Sequence, residues 1–484
     1  MIIELSPAMK GNLPTFLNAS HAAPAAVYML LALSTLCIFN MIYAVQPLPF
    51  LDEIFHIPQA EKYCRGLFRE WDPKITTLPG LYLLSVGVLM PLSTVLRIDV
   101  CGTYALRMTN VFACFANFYI IHNIQKRLYP ERRDLDSSLQ DLLSAVNLTI
   151  FPVLYFFTFL YYTDVIATGL ILLTYLLQLD GRTLLAPLTA FIAVVVRQTN
   201  IVWVAFIAFL SISHVLKLHV IQCNSRLSPK VVRSAKYLQV LLDTLLRTWN
   251  RGFTSRAQLA NNILYSSAGF IVVGLCFLGF VLWNGGLVVG DRSAHQAVFN
   301  IPQIFYFSLF LVIFSSPYIV GCVKQVLVSV IKHWKLVLVL MIGCIIIIHF
   351  STYVHPYLLA DNRHYTFYVW KRLYESHFLM KYLLIPVYIF SAFSVNQLIK
   401  ETDMTFQIGY FTFISLCLVP QKLLEFRYFI VPFLMLRLHI CLKAWWQLIA
   451  EFILFFCINA STVYLFMTRT FYWSDSEEVQ RFLW

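Results

Sequence analysis

The chain reads as an all-α polytopic membrane protein, and three observations carry that reading. Hydrophobic residues make up 59% of the sequence and charged residues 12%, with a mean hydropathy of +0.72, values a water-soluble domain could hold only by exposing large apolar patches. Apolar runs of about the 20 residues needed to span a bilayer recur along the whole length. The Lys and Arg residues behind the net charge of +12 sit in short runs between those segments, as the cytosolic flanks of membrane helices do. The basicity therefore reports topology, and no nucleic-acid partner is expected.

Residues 1–23 are a polar, cytosolic lead with a sequon at Asn18-Ala19-Ser20, and Ala22 to Val45 follows as a retained signal anchor. Residues 47–102 form the first lumenal loop, with juxtamembrane helices. Lys126-Arg127 and Arg132-Arg133 belong in the cytosol by the positive-inside rule, so one full crossing, Tyr104 to Ile121, separates them from that loop. Pro79 to Leu96, interrupted by Gly80, Gly87 and Pro91, is then expected to lie along the membrane or dip into it. Leu139 to Leu160, Val165 to Leu179, Leu184 to Val196 and Ile201 to Leu216 alternate across the bilayer. Residues 217–260 carry Lys217, Arg226, Lys230, Arg233, Lys236, Arg247, Arg251 and Arg256 against the single acid Asp243, and read as a cytosolic loop. Further spans are Leu264 to Trp283, Ile304 to Val323, Leu336 to Tyr353, Tyr382 to Val395, Phe406 to Val419, Tyr428 to Leu442 and Leu448 to Met467. That gives roughly 13 spans in one domain covering 1–484.

The 11 cysteines form no CxxC pair and mostly lie in apolar runs, so they read as small hydrophobes, not zinc ligands. Cys64 and Cys101 are expected on the lumenal side, where a disulfide is permitted.

The first lumenal loop is unusually acidic, with Asp52, Glu53, Glu61, Glu70 and Asp72. Carboxylates against a membrane face are costly unless solvated or paired. Glu61 and Glu70 read as solvated; Asp52 and Glu53, between Phe50 and Phe55, read as functional. Three more polar, aromatic-rich loops fall on the same side: one through Asp291, Arg292 and His295; residues 354–376 with Asp361, Arg363, His364, Tyr365, Trp370, Lys371 and Arg372; and one with Lys422, Glu425 and Arg427. Cations kept where topology disfavours them, beside aromatics, suit a lipid phosphate and a sugar. For any one residue, local pairing, as of Asp361 with Arg363 or Glu425 with Arg427, explains the charge as well as a ligand does; for the set it explains less. His355 and His364 lack the carboxylate spacing that would complete a metal site.

The motifs DEIFHIPQA (52–60), WDP (71–73), ITTLPGLY (75–82), RQTN (197–200), GDRS (290–293), LADNRHYTFYVWKR (359–372) and PQKLLEFRYF (420–429) resemble the dolichyl-phosphate-glucose-dependent α-1,2-glucosyltransferases of the endoplasmic reticulum. The resemblance runs nearly end to end and is weakest over 217–260. It implies a GT-C glycosyltransferase, multi-pass in the endoplasmic reticulum membrane with a lumenal active site, whose first lumenal loop bears an essential acid. It also implies dolichyl β-D-glucosyl phosphate as donor and Glc(2)Man(9)GlcNAc(2)-PP-dolichol as acceptor, the last glucose of the N-glycosylation precursor being the one added.

A β-linked donor giving an α-linked product inverts C1, so one base suffices. The phosphate leaving group needs cations rather than a second carboxyl. Asp52 is the candidate base and Glu53 the alternative, since adjacent side chains diverge and the sequence does not say which faces the sugar. Asp164 is placed to grip sugar hydroxyls, and Asp72, Arg197, Asp291, Arg292 and Glu425 are further candidate contacts. Arg363, His364, Lys371, Arg372 and Arg427 are candidates for the phosphate; Trp71, Tyr365 and Trp370 for stacking on sugar rings. No metal or cofactor is expected. A transporter would place its charges mid-span; here the spans look nearly free of charge, which favours chemistry on a lipid-borne substrate. A binding or channel-regulatory partner of membrane proteins is the third class.

Overall fold

The computed structural model describes residues 15–96, 101–132, 134–224, 227–292, 297–441, 444–474 and 476–484. The lead up to residue 14, with Arg133, Arg226, Ser293 and His295 of the expected loops, lies outside the described residues.

Inside a bilayer each backbone N–H and C=O must be satisfied by the chain itself, and helices do this locally. The order is α1 (Thr15–Val45), α2 (Glu53–Cys64), α3 (Gly80–Leu96), α4 (Thr103–Leu128), α5 (Leu135–Thr149), α6 (Pro152–Phe157), α7 (Thr163–Leu179), α8 (Leu185–Val196) and α9 (Asn200–Cys223). Next come α10 (Pro229–Val232), α11 (Lys236–Asn250), α12 (Phe253–Asn284), α13 (Pro302–Phe314), α14 (Ser316–Lys332) and α15 (Trp334–Ser351). Short helices α16 (Pro356–Ala360) and α17 (Tyr365–Val369), a π turn over Trp370–Tyr374 and α18 (Met380–Leu383) lead to α19 (Ile385–Leu398) and α20 (Met404–Leu418). A 3-10 turn (Phe426–Phe429), α21 (Ile430–Leu438) and α22 (Trp445–Thr468) follow, then an antiparallel hairpin of β1 (Thr470–Trp473) and β2 (Ser476–Arg481).

Prolines break several expected spans. Leu139 to Leu160 divides into α5 and α6 because Pro152 has no N–H to give and its ring excludes the preceding turn. The carbonyl freed at Ile150 is taken up by Asn459 of α22 at 2.7 Å. Ile304 to Val323 is not one straight rod: α13 and α14 meet at 103°, with Pro317 in the first turn of α14. Among the described residues, five helices are long and apolar enough to cross a membrane, or six if that bent pair is one span. Tyr104 to Ile121 lies within the unbroken 26-residue α4, while other expected spans are shorter helices, such as the 12-residue α8.

The spans also carry more charge than the sequence suggested. Arg437 of α21 and Glu451 of α22, both 0% exposed, pair at 2.7 Å. Tyr318 and Asn147 donate to the same carboxylate at 2.8 and 2.9 Å. These charges neutralise one another inside the bundle.

The core is aromatic, with Phe151 stacked on Phe433 at 4.3 Å and ringed by Phe310, Phe314 and Phe455. A second apolar cluster, Ile57, Tyr63, Ile75, Leu81, Tyr82 and Tyr161, lies beneath the acidic loop. Cys64 and Cys101 are joined in a disulfide, tying the end of α2 to the start of α4. Gly80 lets α3 touch α8: a Cβ there would lie 2.6 Å from the Val195 carbonyl.

A candidate active-site cleft

After α1 the chain runs extended through Pro47 and Pro49 and reverses at Leu51, a non-glycine residue at φ 55°. That turn sets Asp52 at the N-cap of α2 and Glu53 as its first residue. Successive helical side chains diverge by about 100°, so the two acids cannot face the same way. Glu53 turns inward. Its side chain is 0% exposed and forms a two-bonded pair with Arg107 at 2.9 and 2.6 Å. The backbone amides of Phe50 and Tyr161 donate to it at 3.0 and 2.5 Å. Arg107 spends its remaining donors on the carbonyls of Gln46 and Leu48 at 2.6 and 3.0 Å.

Asp52 turns outward, its side chain 47% exposed, onto a cleft of about 410 Å³. Three loops far apart in sequence make its walls: Leu51, Ile54 and Phe55; Tyr357 to Thr366, with Asp361, Arg363 and His364; and Leu423 to Arg427. Arg427 is the pivot. Its guanidinium binds Glu425 at 2.9 Å, Asp52 at 3.3 Å and Asp164 at 3.8 Å, and lies 5.5 Å from the rings of both Phe157 and Tyr162. Burial works to raise the Asp52 carboxyl, but Arg427 in front of it wins and holds it below the ordinary carboxylate range. Behind Arg427, Asp164 is 1% exposed and ion-paired to Arg197, while its second oxygen has no hydrogen-bond partner among the described residues. That oxygen borders a niche of about 30 Å³ with Asn200, Gln421 and Tyr428.

Comparison with known proteins matches the chain to a family. The profile of the DIE2/ALG10 family matches residues 46–438, from the acidic loop to α21. A human Dol-P-Glc:Glc(2)Man(9)GlcNAc(2)-PP-Dol alpha-1,2-glucosyltransferase is 39% identical over 447 residues, covering 90% of this chain and 93% of its own length.

This chain belongs to the DIE2/ALG10 family.

Proteins with the same printed name from Arabidopsis thaliana, 35% identical over 91% of this chain and 96% of theirs, and from Candida albicans, 32% identical over 90% and 93%, are equally collinear with it. No solved structure matches the chain.

Within this DIE2/ALG10 fold the other expected site residues divide by what already holds them. Asp361 and Arg363 lie on the cleft but bind each other through two bonds, 2.9 and 2.8 Å. Arg363 also donates to Gln480 at 3.1 Å and stacks on Trp473 at 4.5 Å. His364 meets the Trp484 carbonyl at 2.9 Å, and the Tyr365 amide donates to the Leu483 carbonyl at 3.0 Å. Trp370, 2% exposed, stacks on Tyr374 at 4.6 Å inside the protein, away from the cleft. Lys371 and Arg372 are exposed and cover Phe367 and Tyr368, and neither lines the cleft.

The remaining expected contacts build loops. Arg292 donates to the carbonyls of Asn284, Gly285 and Val288, closing the end of α12. Asp291 donates its amide to the Pro73 carbonyl at 2.8 Å. Asp72 accepts from the Lys74 amide at 2.9 Å, a local turn, and Trp71 packs on Tyr82. Sequence reading missed Arg107, although a lone cation inside an apolar run was its signal. It also missed the C-terminal hairpin, whose ten or so polar and aromatic residues give no such mark.

Proposed function

We propose that this chain transfers glucose from dolichyl β-D-glucosyl phosphate to Glc(2)Man(9)GlcNAc(2)-PP-dolichol in α-1,2 linkage, at the lumenal face of the endoplasmic reticulum membrane. The relatives bear that activity in their names over almost their whole length. The observation that supports the chemistry is the half-exposed Asp52 on the cleft wall, facing Arg427, beside a Glu53 closed off from it.

The acceptor 2-hydroxyl gives its proton to Asp52 as its oxygen attacks C1 of the donor glucose. The C1–O bond to phosphate breaks with inversion, and dolichyl phosphate leaves with the electron pair. Arg427 stabilises the charge gathering on that phosphate. Of its carboxylate partners Asp52 is the half-exposed one, 47% against 1% for Asp164 and 16% for Glu425, so an arriving phosphate replaces Asp52 on the guanidinium and leaves the base free. Asp164 and Glu425 keep Arg427 in place during that exchange. In the proposed GT-C arrangement the leaving phosphate is met by Arg427, and no step is routed through a metal.

Asp52→Asn keeps the size of the side chain but cannot take a proton. Turnover by purified protein should fall by about 10²- to 10⁴-fold with binding of acceptor retained. Near-native turnover in that variant would remove Asp52 from the chemistry.

A further inference from the structure

α9 starts at Asn200, beside Asp164 and Arg197, and its 24 residues carry it about 36 Å away to Cys223. α12 returns from Phe253 to Asn284, whose loop docks on the acidic loop through Val289 and Asp291. The segment between them therefore lies on the side of the bundle opposite the cleft, and α11 is its principal element.

α11 packs one face inward, where Val240 and Leu241 join a small apolar cluster with Val220 and Val232. Tyr237, Thr244 and Thr248 are buried; Thr248 bonds His219 of α9 at 2.7 Å, and Asn224 donates to Thr244 at 3.0 Å. Turned away from that packing, Leu238, Leu242, Leu246 and Trp249 are 38, 58, 54 and 64% exposed. Their spacing of four, four and three residues makes one continuous stripe, which Phe253 extends. Asp243, Lys236 and Arg247 occupy the other exposed face. Nearby Lys217 and Arg233 are neutralised by Asp403 and Glu401. Lys236, Arg247 and Arg251 have no carboxylate partner among the described residues, and Arg256 covers the Trp249 ring at 4.6 Å.

A helix already packed on one face, with leucines and a tryptophan exposed on a second and cations alongside, matches a surface that is apolar below and anionic above. We infer that α11 lies in the surface of the leaflet facing away from the cleft, its Leu and Trp stripe among acyl chains and its free cations on the phosphates of acidic phospholipids. The apolar stripe sets the depth, and the cations select the lipid. This holds whatever sugar the cleft handles.

The test uses full-length protein in nanodiscs of phosphatidylcholine with or without phosphatidylserine. A benzophenone amino acid is placed at position 242 or 246, or on the other face at 236 or 243. Positions 242 and 246 should give several-fold more lipid adduct, and phosphatidylserine should raise their yield. An Arg247→Gln/Arg251→Gln variant should lose that rise. Unmodified protein offers a second readout, since trypsin should cut after Arg247 and Arg251 more slowly when phosphatidylserine is present. Equal adduct yields on both faces, adducts to a second protein chain at 246, or indifference of both yield and cleavage to lipid charge would each overturn the proposal.

Discussion

Glu53 and Asp52 differ by one position and by nearly everything that decides reactivity. Glu53 receives four hydrogen bonds, and its pair with Arg107 is wholly removed from solvent. Glu53→Gln would leave Arg107 buried without a counter-charge, a loss of about 3–5 kcal/mol. We expect a lower unfolding temperature and less folded protein, with transfer per folded molecule far less affected than in Asp52→Asn; thermal unfolding and active-fraction measurements separate the two. The charge on Arg427 gives a further test. Burial alone would raise the Asp52 carboxyl and Arg427 lowers it. A base must be deprotonated, so the rate falls as pH drops through the pKa of Asp52. In Arg427→Gln the acid limb of kcat/KM should therefore move to higher pH, whereas an unmoved limb would mean that another group titrates. Sequence alone left the two acids open because their divergence depends on where α2 begins, and that is set by Leu51. It did expose Asp361 with Arg363 and Glu425 with Arg427 as local pairs, since two-residue spacings in tight loops bring such groups together.

At the scale of elements, the loop after α12 is held to the acidic loop by backbone. Val289 and Asp291 donate to the carbonyls of Thr76 and Pro73 at 3.2 and 2.8 Å. Gly290 between them sits at φ 68°, and a Cβ there would fall 2.3 Å from the Pro73 oxygen. Gly290→Ala thus meets both an unfavourable backbone angle and a clash with main chain that has no rotamer to adjust. We expect that variant to release the loop, seen as faster proteolysis near Trp71 and weakened transfer; unchanged cleavage would show that the contact is dispensable. The GDRS motif reads in the sequence as a polar loop and a candidate substrate contact; its hold on the Trp71–Ile75 segment is seen only in the structure. Breaks in the helices fared similarly: Pro152 and Pro317 were in plain view, but hydropathy averages over a proline and draws one span where the backbone makes two elements. The hairpin of β1 and β2 was invisible for the opposite reason, since its strands are short, one aromatic and one charged, and touch a loop distant in sequence.

Over the whole molecule, Asp52 and Arg427 are 375 residues apart in sequence and in contact in space. Their meeting is a property of the bundle. The sequence nonetheless assigned both to one face, because polar loops in an apolar chain must gather outside the bilayer and the positive-inside rule fixes which side is which. Composition also gave the all-α membrane class, while the number of crossings was not legible, because a helix as short as α8 and a pair as sharply bent as α13–α14 give the same hydropathy as whole spans. The central claim is that this cleft joins one glucose to one lipid-linked glycan. Purified protein should be incubated with dolichyl-phosphate glucose and lipid-linked oligosaccharides bearing zero, one or two glucoses, and the glycan mass followed. We expect a gain of a single hexose on the two-glucose acceptor alone, in α-1,2 linkage, and no gain with dolichyl-phosphate mannose as donor; a hexose added to the shorter acceptors, or none added to any, would contradict it.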